Sequence, residues 1–212
     1  MDLDPNDLAP EERYKLLTGC VVPRPIAVVS TVSPQGIPNL APFSYFNVVG
    51  HLPMALSFCV AGRKPDRSPK DSLRNACSAA EGGTGEFVVN MAVESFAAAM
   101  AKTATPIAYE ESEYDLAHLT PVPSKVVLPP RIGESPVAFE CRTLQVVPVG
   151  ISHLVIGEVV HMVIQDDLLD ERFRVNPNEL KAIGRMAGSQ YCRTQDRFEI
   201  RDETFFPKRR ES

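Results

Sequence analysis

The sequence lacks the segments that mark membrane and secreted proteins. No apolar run reaches the roughly 18 residues that a membrane-spanning helix needs. The opening residues, MDLDPNDLAPEERY, are acidic and do not show the basic and then apolar pattern of a signal peptide. These absences predict a cytoplasmic protein that does not partner with a membrane.

Motifs for metal and nucleotide binding are also missing. Neither GxxxxGKS nor GxxxxGKT occurs, and no GxGxxG follows a strand, so a P-loop and a helical dinucleotide-binding fold are not supported. The cysteines form no CxxC pair, whereas zinc ligands usually come in closely spaced pairs. We therefore expect no metal site, and reduced thiols packed as small apolar groups. The cysteines are Cys20, Cys59, Cys77, Cys141 and Cys192.

An excess of basic charge is absent as well. The formal net charge is −5, which gives no reason to expect a nucleic-acid partner. The basic cluster PKRRES closes the chain, and we interpret it as part of a solvated tail.

Length and composition indicate one folded domain. The chain has 212 residues and is 44% hydrophobic, which is enough for a real core. We expect a single domain over residues 1–212, with its core at about 15–200 and a C-terminal tail at about 201–212. The 19 prolines predict many loops and strand edges.

Most of the strong local patterns are those of β-strands. The strand-like runs are IAVVSTV (26–32), MALSFCVA (54–61), GEFVVNMA (85–92), VAFECRTLQVVPVG (137–150) and HLVIGEVVHMVIQDD (153–167). Helices are expected near residues 11–18, from about Lys70, and over 93–104, while LKAIGRMAGSQYCRT suggests a turn or a short helix. The fold class predicted is mainly β with peripheral helices. Its antiparallel strands close most naturally into a barrel, because closure removes exposed edges.

The stretch NLAPFSYFNVVG (39–50) is unusual for a buried strand. Proline removes a backbone donor, so Pro42 should not lie in the middle of a sheet. In a hairpin, this stretch would lie beside RPIAVVST (24–31) and offer apolar surface with free backbone groups. A flat ligand such as an isoalloxazine or pterin ring suits that arrangement. A proline-disrupted edge strand explains the same pattern equally well.

The stretch RSPKDSLRN (67–75) suggests an anion site at a helix N-terminus. Ser68 is the expected N-cap and Pro69 the first helical residue, which puts Lys70 and Ser72 in the first turn. A well-capped surface helix with ordinary cations is the simpler interpretation of this stretch alone. The nearby cations are Arg63, Arg67 and Arg74.

Side chains that could act as acids or bases are few. His153 opens a strand after Gly150, but a lone histidine is more often structural. Glu140 and Glu158 lie in strand patterns and are expected on the solvent face of the sheet. No Ser-His-Asp or Cys-His arrangement is evident.

Several ordered motifs together resemble the flavin reductase-like family of FMN-binding split barrels. The similarity covers about residues 15–200. The motifs are RPIAVVST (24–31), GIPNLAPFSYFN (36–47), SPKDSLRN (68–75), GEFVVN (85–90), ESPVAFECRTLQVVPVG (134–150), HLVIGEVVH (153–161) and YCRT (191–194).

The resemblance implies a six-stranded antiparallel split β-barrel, usually a homodimer with FMN near the subunit interface. It also implies which residues contact the cofactor. The first strand would border the flavin, the segment 41–47 would face the ring and ribityl chain, and residues 63–72 would hold the phosphate. The positions so implied are Arg24, Ser30, Thr31, Ala41, Pro42, Phe43, Ser44, Phe46, Asn47, Ser57, Arg63, Lys70, Asp71 and Ser72, with Asn90 and Arg185 as further contributors.

The function implied is that of an FMN-binding oxidoreductase, most simply an NAD(P)H-dependent flavin reductase in which hydride reaches the flavin N5. Some members carry Gly-Asp-His where this chain has Gly150-Ile151-Ser152-His153, so the aspartate is absent and His153 alone remains as a nicotinamide-side residue. An alternative is a flavin-binding electron carrier or storage protein that does not react with NAD(P)H. A cofactor-free structural module is a third alternative. A partner monooxygenase or another electron acceptor is expected.

Overall fold

The computed structural model describes residues 1–64 and 66–200. The basic cluster at the end of the chain, and the expected C-terminal tail, lie outside these residues. Within the described ranges, no helix is both long and apolar enough to cross a membrane.

Short helices and strands alternate along the chain. The helices are α1 (Pro10–Cys20), α2 (Asp71–Ala76), α3 (Ala97–Lys102), α4 (Glu113–Ala117) and α5 (Pro177–Leu180). Short 3-10 turns lie at Pro5–Asp7, Ala79–Glu81, Glu94–Phe96 and Asp166–Leu168. The strands are β1 (Arg24–Pro25), β2 (Ala27–Val32), β3 (Pro38–Phe43), β4 (Phe46–His51), β5 (Met54–Val60), β6 (Glu86–Met91), β7 (Pro121–Val122), β8 (Arg131–Ile132), β9 (Val137–Val149), β10 (Ser152–Ile164), β11 (Ile183–Arg185) and β12 (Tyr191–Arg193).

The main sheet is antiparallel throughout and curls into a split barrel. Over the described residues it has seven strands in the order β3-β2-β6-β9-β10-β5-β4, so β3 and β4 are its two edges. Only Ser44 and Tyr45 separate these edges along the chain, which forces the edges to meet. The backbone N–H of Cys59 in β5 donates to the carbonyl of Tyr45 at 2.8 Å. No ladder joins β3 to β4 in this part of the chain, and the barrel is therefore split there.

Two cores lie on opposite faces of β2. Alternate residues of a strand point to opposite faces, and here Ala27 and Val29 pack inside the barrel while Val28 packs against the helices outside. Inside the barrel, Phe58 lies 5.0 Å from Phe43 and 5.1 Å from Phe87 between ring centroids. Because both faces of β2 are covered, its sequence is a continuous apolar and small-residue run.

The predicted fold class is confirmed, but the strand assignments needed correction. The main sheet has seven strands and not the six expected, because NLAPFSYFNVVG is not one extended run. It breaks at Ser44–Tyr45, and the part from Phe46 to His51 pairs with β5 as a separate strand. Pro42 does lie in an edge strand, as its missing donor predicted. The segment LKAIGRMAGSQYCRT supplies β11 and β12 as well as a turn.

The predicted start of α2 was wrong by two residues. Lys70 is the N-cap, and the helix begins at Asp71. Ser68 does not cap it, because its hydroxyl and its backbone N–H both donate to Oδ1 of Asp66, at 2.6 and 2.9 Å. A local turn around Asp66 therefore uses the side chain that the sequence assigned to the helix.

Substituting Gly157 in β10 tests how tightly the barrel is packed. A Cβ at this position would lie 2.3 Å from Cζ of the fully buried Phe87 and 3.1 Å from the carbonyl oxygen of Arg142. We expect Gly157→Ala to lower the free energy of unfolding in urea by about 1–3 kcal/mol through overpacking. The control is Gly19→Ala in α1, where a Cβ meets no atom of the described chain within 4 Å. Equal stability of the two variants would contradict this packing.

Candidate functional site

A cleft of about 350 Å³ opens beside the edge strand β3. Its walls come from three parts of the chain: β3 itself, the segment around the start of α2, and the connection between α3 and α4. The lining residues are Asn39, Ala41, Pro42, Phe43, Arg63, Lys64, Lys70, Asp71, Ser72, Thr103, Ala104, Thr105, Pro106, Ile107 and Glu113.

One end of the cleft carries positive charge that the protein does not neutralise. Lys64 is paired with Asp71, with 2.6 Å between Nζ and Oδ2. Arg63 donates to the carbonyl of Arg67 at 3.1 Å, and neither it nor Lys70 has a carboxylate partner in the described residues. Since one of the three cations is paired and two are not, this end attracts an anion.

The opposite wall of the cleft is apolar and belongs to a strand edge. Ala41, Pro42 and Phe43 form it, and Phe43 also packs into the barrel core. β3 pairs with β2 on one side only, so the backbone groups on its free side have no ladder partner in the described part of the chain. An apolar surface bordered by free backbone groups suits a flat ligand with a polar edge.

Beneath the cleft, a chain of hydrogen bonds joins β2, β3 and α2. Oδ1 of Asn39 accepts from the hydroxyls of Ser72 (2.9 Å) and Thr31 (3.2 Å). Thr31 Oγ1 accepts from Asn75 Nδ2 at 3.1 Å, and Asn75 Oδ1 accepts from the hydroxyl of Tyr109 at 2.8 Å. Because the four polar residues other than Tyr109 are buried, these bonds fix their orientation.

Glu113 closes this chain of hydrogen bonds. Its carboxylate accepts from Nδ2 of Asn39 at 2.9 Å on both oxygens and from the backbone N–H of Leu40 at 2.8 Å. Burial raises the pKa of Glu113, the bonds from Leu40 and Asn39 act in the opposite direction, and nearby Asp71 adds to the rise. The side chain is only 5% exposed, which is rare for glutamate unless its hydrogen-bonding groups are satisfied.

A second groove has a more apolar lining than the first cleft. It contains four of the sequence-predicted residues that do not line the first cleft, and lies between the end of α1 and the β3–β4 connection. Its lining residues are Leu17, Val21, Pro23, Arg24, Pro25, Ser44, Tyr45, Phe46 and Asn47.

Arg24 forms a fixed corner of this groove. It is 7% exposed, and its guanidinium donates to the carbonyls of Thr18 (2.6 Å), Val21 (2.6 Å) and Met186 (3.0 Å). Its Nε lies 3.4 Å from Oγ of Ser44. Arg24 therefore ties the end of α1 and the β11–β12 turn to the groove, and most of its donors are already used.

Seven of the residues predicted to contact the cofactor line the first cleft, and four line the second groove. The remaining predicted residues line neither. Thr31 lies in the buried hydrogen-bond chain, Ser30 is fully buried in β2, and Ser57 is half-buried in β5 opposite Asn47. These positions place them under the site or beside it.

Asn90, Arg185 and His153 also lie outside both clefts. Asn90 is fully buried and links the carbonyl of Val28 to the N–H of Ile132. The guanidinium of Arg185 stacks 4.6 Å from the ring centroid of Tyr191. His153 pairs with Val60 at the start of β10. A direct role for these three in ligand binding stays a prediction.

The sequence patterns did not reveal several cleft residues. Asn39 lies within the motif at 36–47 and Lys64 follows the predicted Arg63, but neither was assigned to the site. Glu113 and residues 103–107 had no local signal, since Glu113 bonds to Asn39 across 74 positions. Glu140 was expected on the solvent face, but it is fully buried and accepts from the backbone N–H groups of Lys125 and Val126.

A cysteine nucleophile finds no support in the described residues. Burial raises the pKa of the thiols of Cys59, Cys77 and Cys141, which lowers the fraction present as reactive thiolate. No cysteine lines the first cleft.

The cleft offers an apolar wall, a free strand edge and an unneutralised cationic end, and these features fit a flavin mononucleotide.

Comparison with known proteins agrees with this geometry. Residues 18–180 match the family described as flavin reductase like domain. The solved structure of nitrilotriacetate monooxygenase component B from Bacillus cereus is 36% identical, with a TM-score of 0.88 and coverage of 94% of this chain and 98% of the other.

Two further structures are similar over nearly their whole length. The 2-nitrobenzoate 2-nitroreductase NbaA of Pseudomonas fluorescens is 32% identical, with a TM-score of 0.85 and coverage of 99% of this chain and 100% of the other. A flavin reductase with a split barrel domain from Shewanella frigidimarina superposes with a TM-score of 0.80, covering 95% of this chain and 99% of the other. At 18% identity, that last similarity concerns the fold alone.

Proposed function

Because this chain belongs to the flavin reductase-like domain family, and is therefore a flavin-linked oxidoreductase, we propose that its first cleft binds FMN and that NAD(P)H is the electron donor. The observation that carries the proposal is the polarity of that cleft. The cleft combines an apolar strand edge at Ala41–Phe43 with the cations Arg63 and Lys70, neither of which has a carboxylate partner among the described residues.

The residues of the cleft have separate roles in this proposal. Ala41, Pro42 and Phe43 form the wall for the isoalloxazine ring, and the free edge of β3 supplies backbone groups for its polar side. Arg63 and Lys70 bind the phosphate, because no carboxylate in the described part of the chain pairs with either of them. Lys64 has no direct role in binding the phosphate, because its charge is paired with that of Asp71.

When bound, the flavin would supply the redox chemistry by accepting a hydride at N5. The protein's own contribution is to hold, orient and stabilise. On its free side, β3 offers carbonyl acceptors to the polar side of the ring, because Pro42 has no N–H and the N–H of Leu40 already donates to Glu113. The hydrogen-bonded floor of the cleft, formed by Asn39, Thr31 and Ser72, keeps the wall and the cationic end at a fixed separation.

The second groove is where we propose that an electron acceptor or donor approaches. Its lining residue Ser44 follows Phe43 of the ring wall in the sequence, and Leu17, Val21 and Tyr45 also line it. A partner monooxygenase is one candidate acceptor, since one similar structure is a monooxygenase component B. The similar nitroreductase makes a small nitroaromatic acceptor the other candidate.

We also propose that the protein is a homodimer. The β4–β5 hairpin exposes Val48, Val49, Leu52 and Met54, and Leu52 is 88% exposed. β4 is a sheet edge as well, so a second copy would cover both apolar side chains and unpaired backbone. A cytoplasmic location and a single domain over the whole chain stay predictions from composition.

A flavin-binding electron carrier is the competing function. The absent aspartate in Gly150-Ile151-Ser152-His153 favours it, because the nicotinamide-side motif of the family is incomplete. Anaerobic addition of NADH and then NADPH to the FMN-loaded protein separates the two functions. We expect loss of the oxidised flavin absorbance within seconds with at least one nucleotide. Flavin that stays oxidised with both, but bleaches with dithionite, would establish the carrier function instead.

Lys70→Ala tests the phosphate end directly. We expect FMN to bind about 10-fold to 100-fold more weakly by fluorescence titration, because one charge-assisted bond to phosphate contributes about 1.5–3 kcal/mol. The charge-matched control is Lys125→Ala, which removes an exposed lysine that does not line the cleft and should leave the affinity unchanged. Equal affinities of the two variants would remove Lys70 from the site.

A further inference from the structure

A loop that we call the strap, residues 103–113, forms one side of the first cleft. It connects α3 to the first residue of α4 and lines the cleft with Thr103, Ala104, Thr105, Pro106 and Ile107. Its own secondary structure is slight, so contacts with the rest of the protein must hold it in place. Two side chains near its C-terminal end provide such contacts.

Tyr109 anchors the strap to the cationic end of the cleft. Its hydroxyl donates to Asn75 Oδ1 at 2.8 Å. Its ring lies under the guanidinium of Arg74, 4.1 Å from the ring centroid, with Nζ of Lys64 at 6.0 Å. Both ring contacts are of the cation–π kind, so the strap lies against the α2 segment that carries Lys70.

Glu113 anchors the strap to β3. A carboxylate can only accept hydrogen bonds, so Asn39 must present Nδ2 to Glu113, which leaves its Oδ1 facing the other way. That oxygen accepts from the hydroxyl of Ser72. Glu113 therefore fixes, through one intervening amide, that the single O–H of Ser72 donates to Asn39.

We propose that Glu113 is a positioning residue for the FMN phosphate: through Asn39 it ties the strap and β3 to the first turn of α2 at Ser72, and so holds the cationic end in the arrangement that binds an anion. This inference rests on the proposed function, because it takes FMN as the ligand. It gives Glu113 no contact with the cofactor. Its two oxygens already accept three hydrogen bonds from N–H groups of the protein.

Charge alone predicts the opposite effect of Glu113. A negative group lining the cleft repels a phosphate, so neutralising it without any structural consequence would tighten FMN binding. Positioning predicts weaker binding, because glutamine has one acceptor oxygen and would turn its NH₂ group toward a donor, either Asn39 Nδ2 or Leu40 N–H. The two accounts therefore differ in sign for the same substitution.

Glu113→Gln should thus be compared with wild type for two ligands, FMN and riboflavin, by fluorescence titration. Riboflavin lacks the phosphate, so the ratio of the two dissociation constants isolates the phosphate contribution from any general loosening of the site. We expect Glu113→Gln to reduce the preference for FMN over riboflavin about tenfold, the size that loss of one or two hydrogen bonds allows. The matched control is Glu110→Gln, an exposed glutamate on the same strap, which should leave the preference unchanged.

Hydrogen exchange of the flavin-free proteins supplies a readout that does not need the cofactor. Backbone amides of residues 103–113 should exchange faster in Glu113→Gln than in wild type or Glu110→Gln. Tyr109→Phe, which keeps the half-buried ring under Arg74 but removes the bond to Asn75, should raise exchange in the strap to a smaller degree. This milder variant serves if Glu113→Gln does not fold.

Each outcome has a definite meaning. A preference for FMN that is unchanged or increased in Glu113→Gln, or strap exchange that is unchanged in both variants, overturns the positioning role and leaves the proposed function intact. Wild-type protein that binds neither FMN nor riboflavin overturns the proposed function, and the positioning role with it.

Discussion

The connection between β3 and β4 is the constraint on which the rest of the structure depends. It spans only Ser44 and Tyr45, yet it joins the two outer strands of the main sheet. The sheet must curl until its edges meet, and the bond from Cys59 to Tyr45 extends the pairing of β5 with β4 as far as this connection. Curling encloses Phe43, Phe58 and Phe87 as a buried aromatic group, and it leaves β3 with one free side.

That free side is where we propose that the ligand binds. A strand edge normally invites association with another strand, and here Pro42, the α2 segment and the strap border it instead. The same edge therefore presents backbone groups in a confined space beside Arg63 and Lys70, for which residues 1–64 and 66–200 supply no carboxylate partner. An apolar wall and an anion-binding end within one cleft are the features that a flavin mononucleotide requires, and they agree with the family to which the chain belongs.

The sequence could predict those parts of the candidate site whose signal lies in a few residues adjacent in sequence. Pro42 marked an edge strand, and the cluster around Lys70 marked a cationic segment, because both signals are local. Asn39 and Glu113 belong to the same site but meet across 74 positions, and no periodicity links them. Glu140 shows the same limitation, since its charge suggested solvent while the loop at Lys125–Val126 folds over it and satisfies both oxygens. The predicted helix start near Ser68 was wrong for a related reason, because the Ser68 hydroxyl, which was expected to cap the helix, donates to Asp66 instead.

The central claim is that the cleft beside β3 is an FMN site, and its most direct test is an equilibrium titration of the flavin-free protein with FMN. The titration should be followed by flavin absorbance and fluorescence, after the spectrum of the protein as purified has been recorded. The account predicts saturable binding of one FMN per chain, weakened by inorganic phosphate at high concentration. A colourless protein that shows no change on addition of FMN would contradict it.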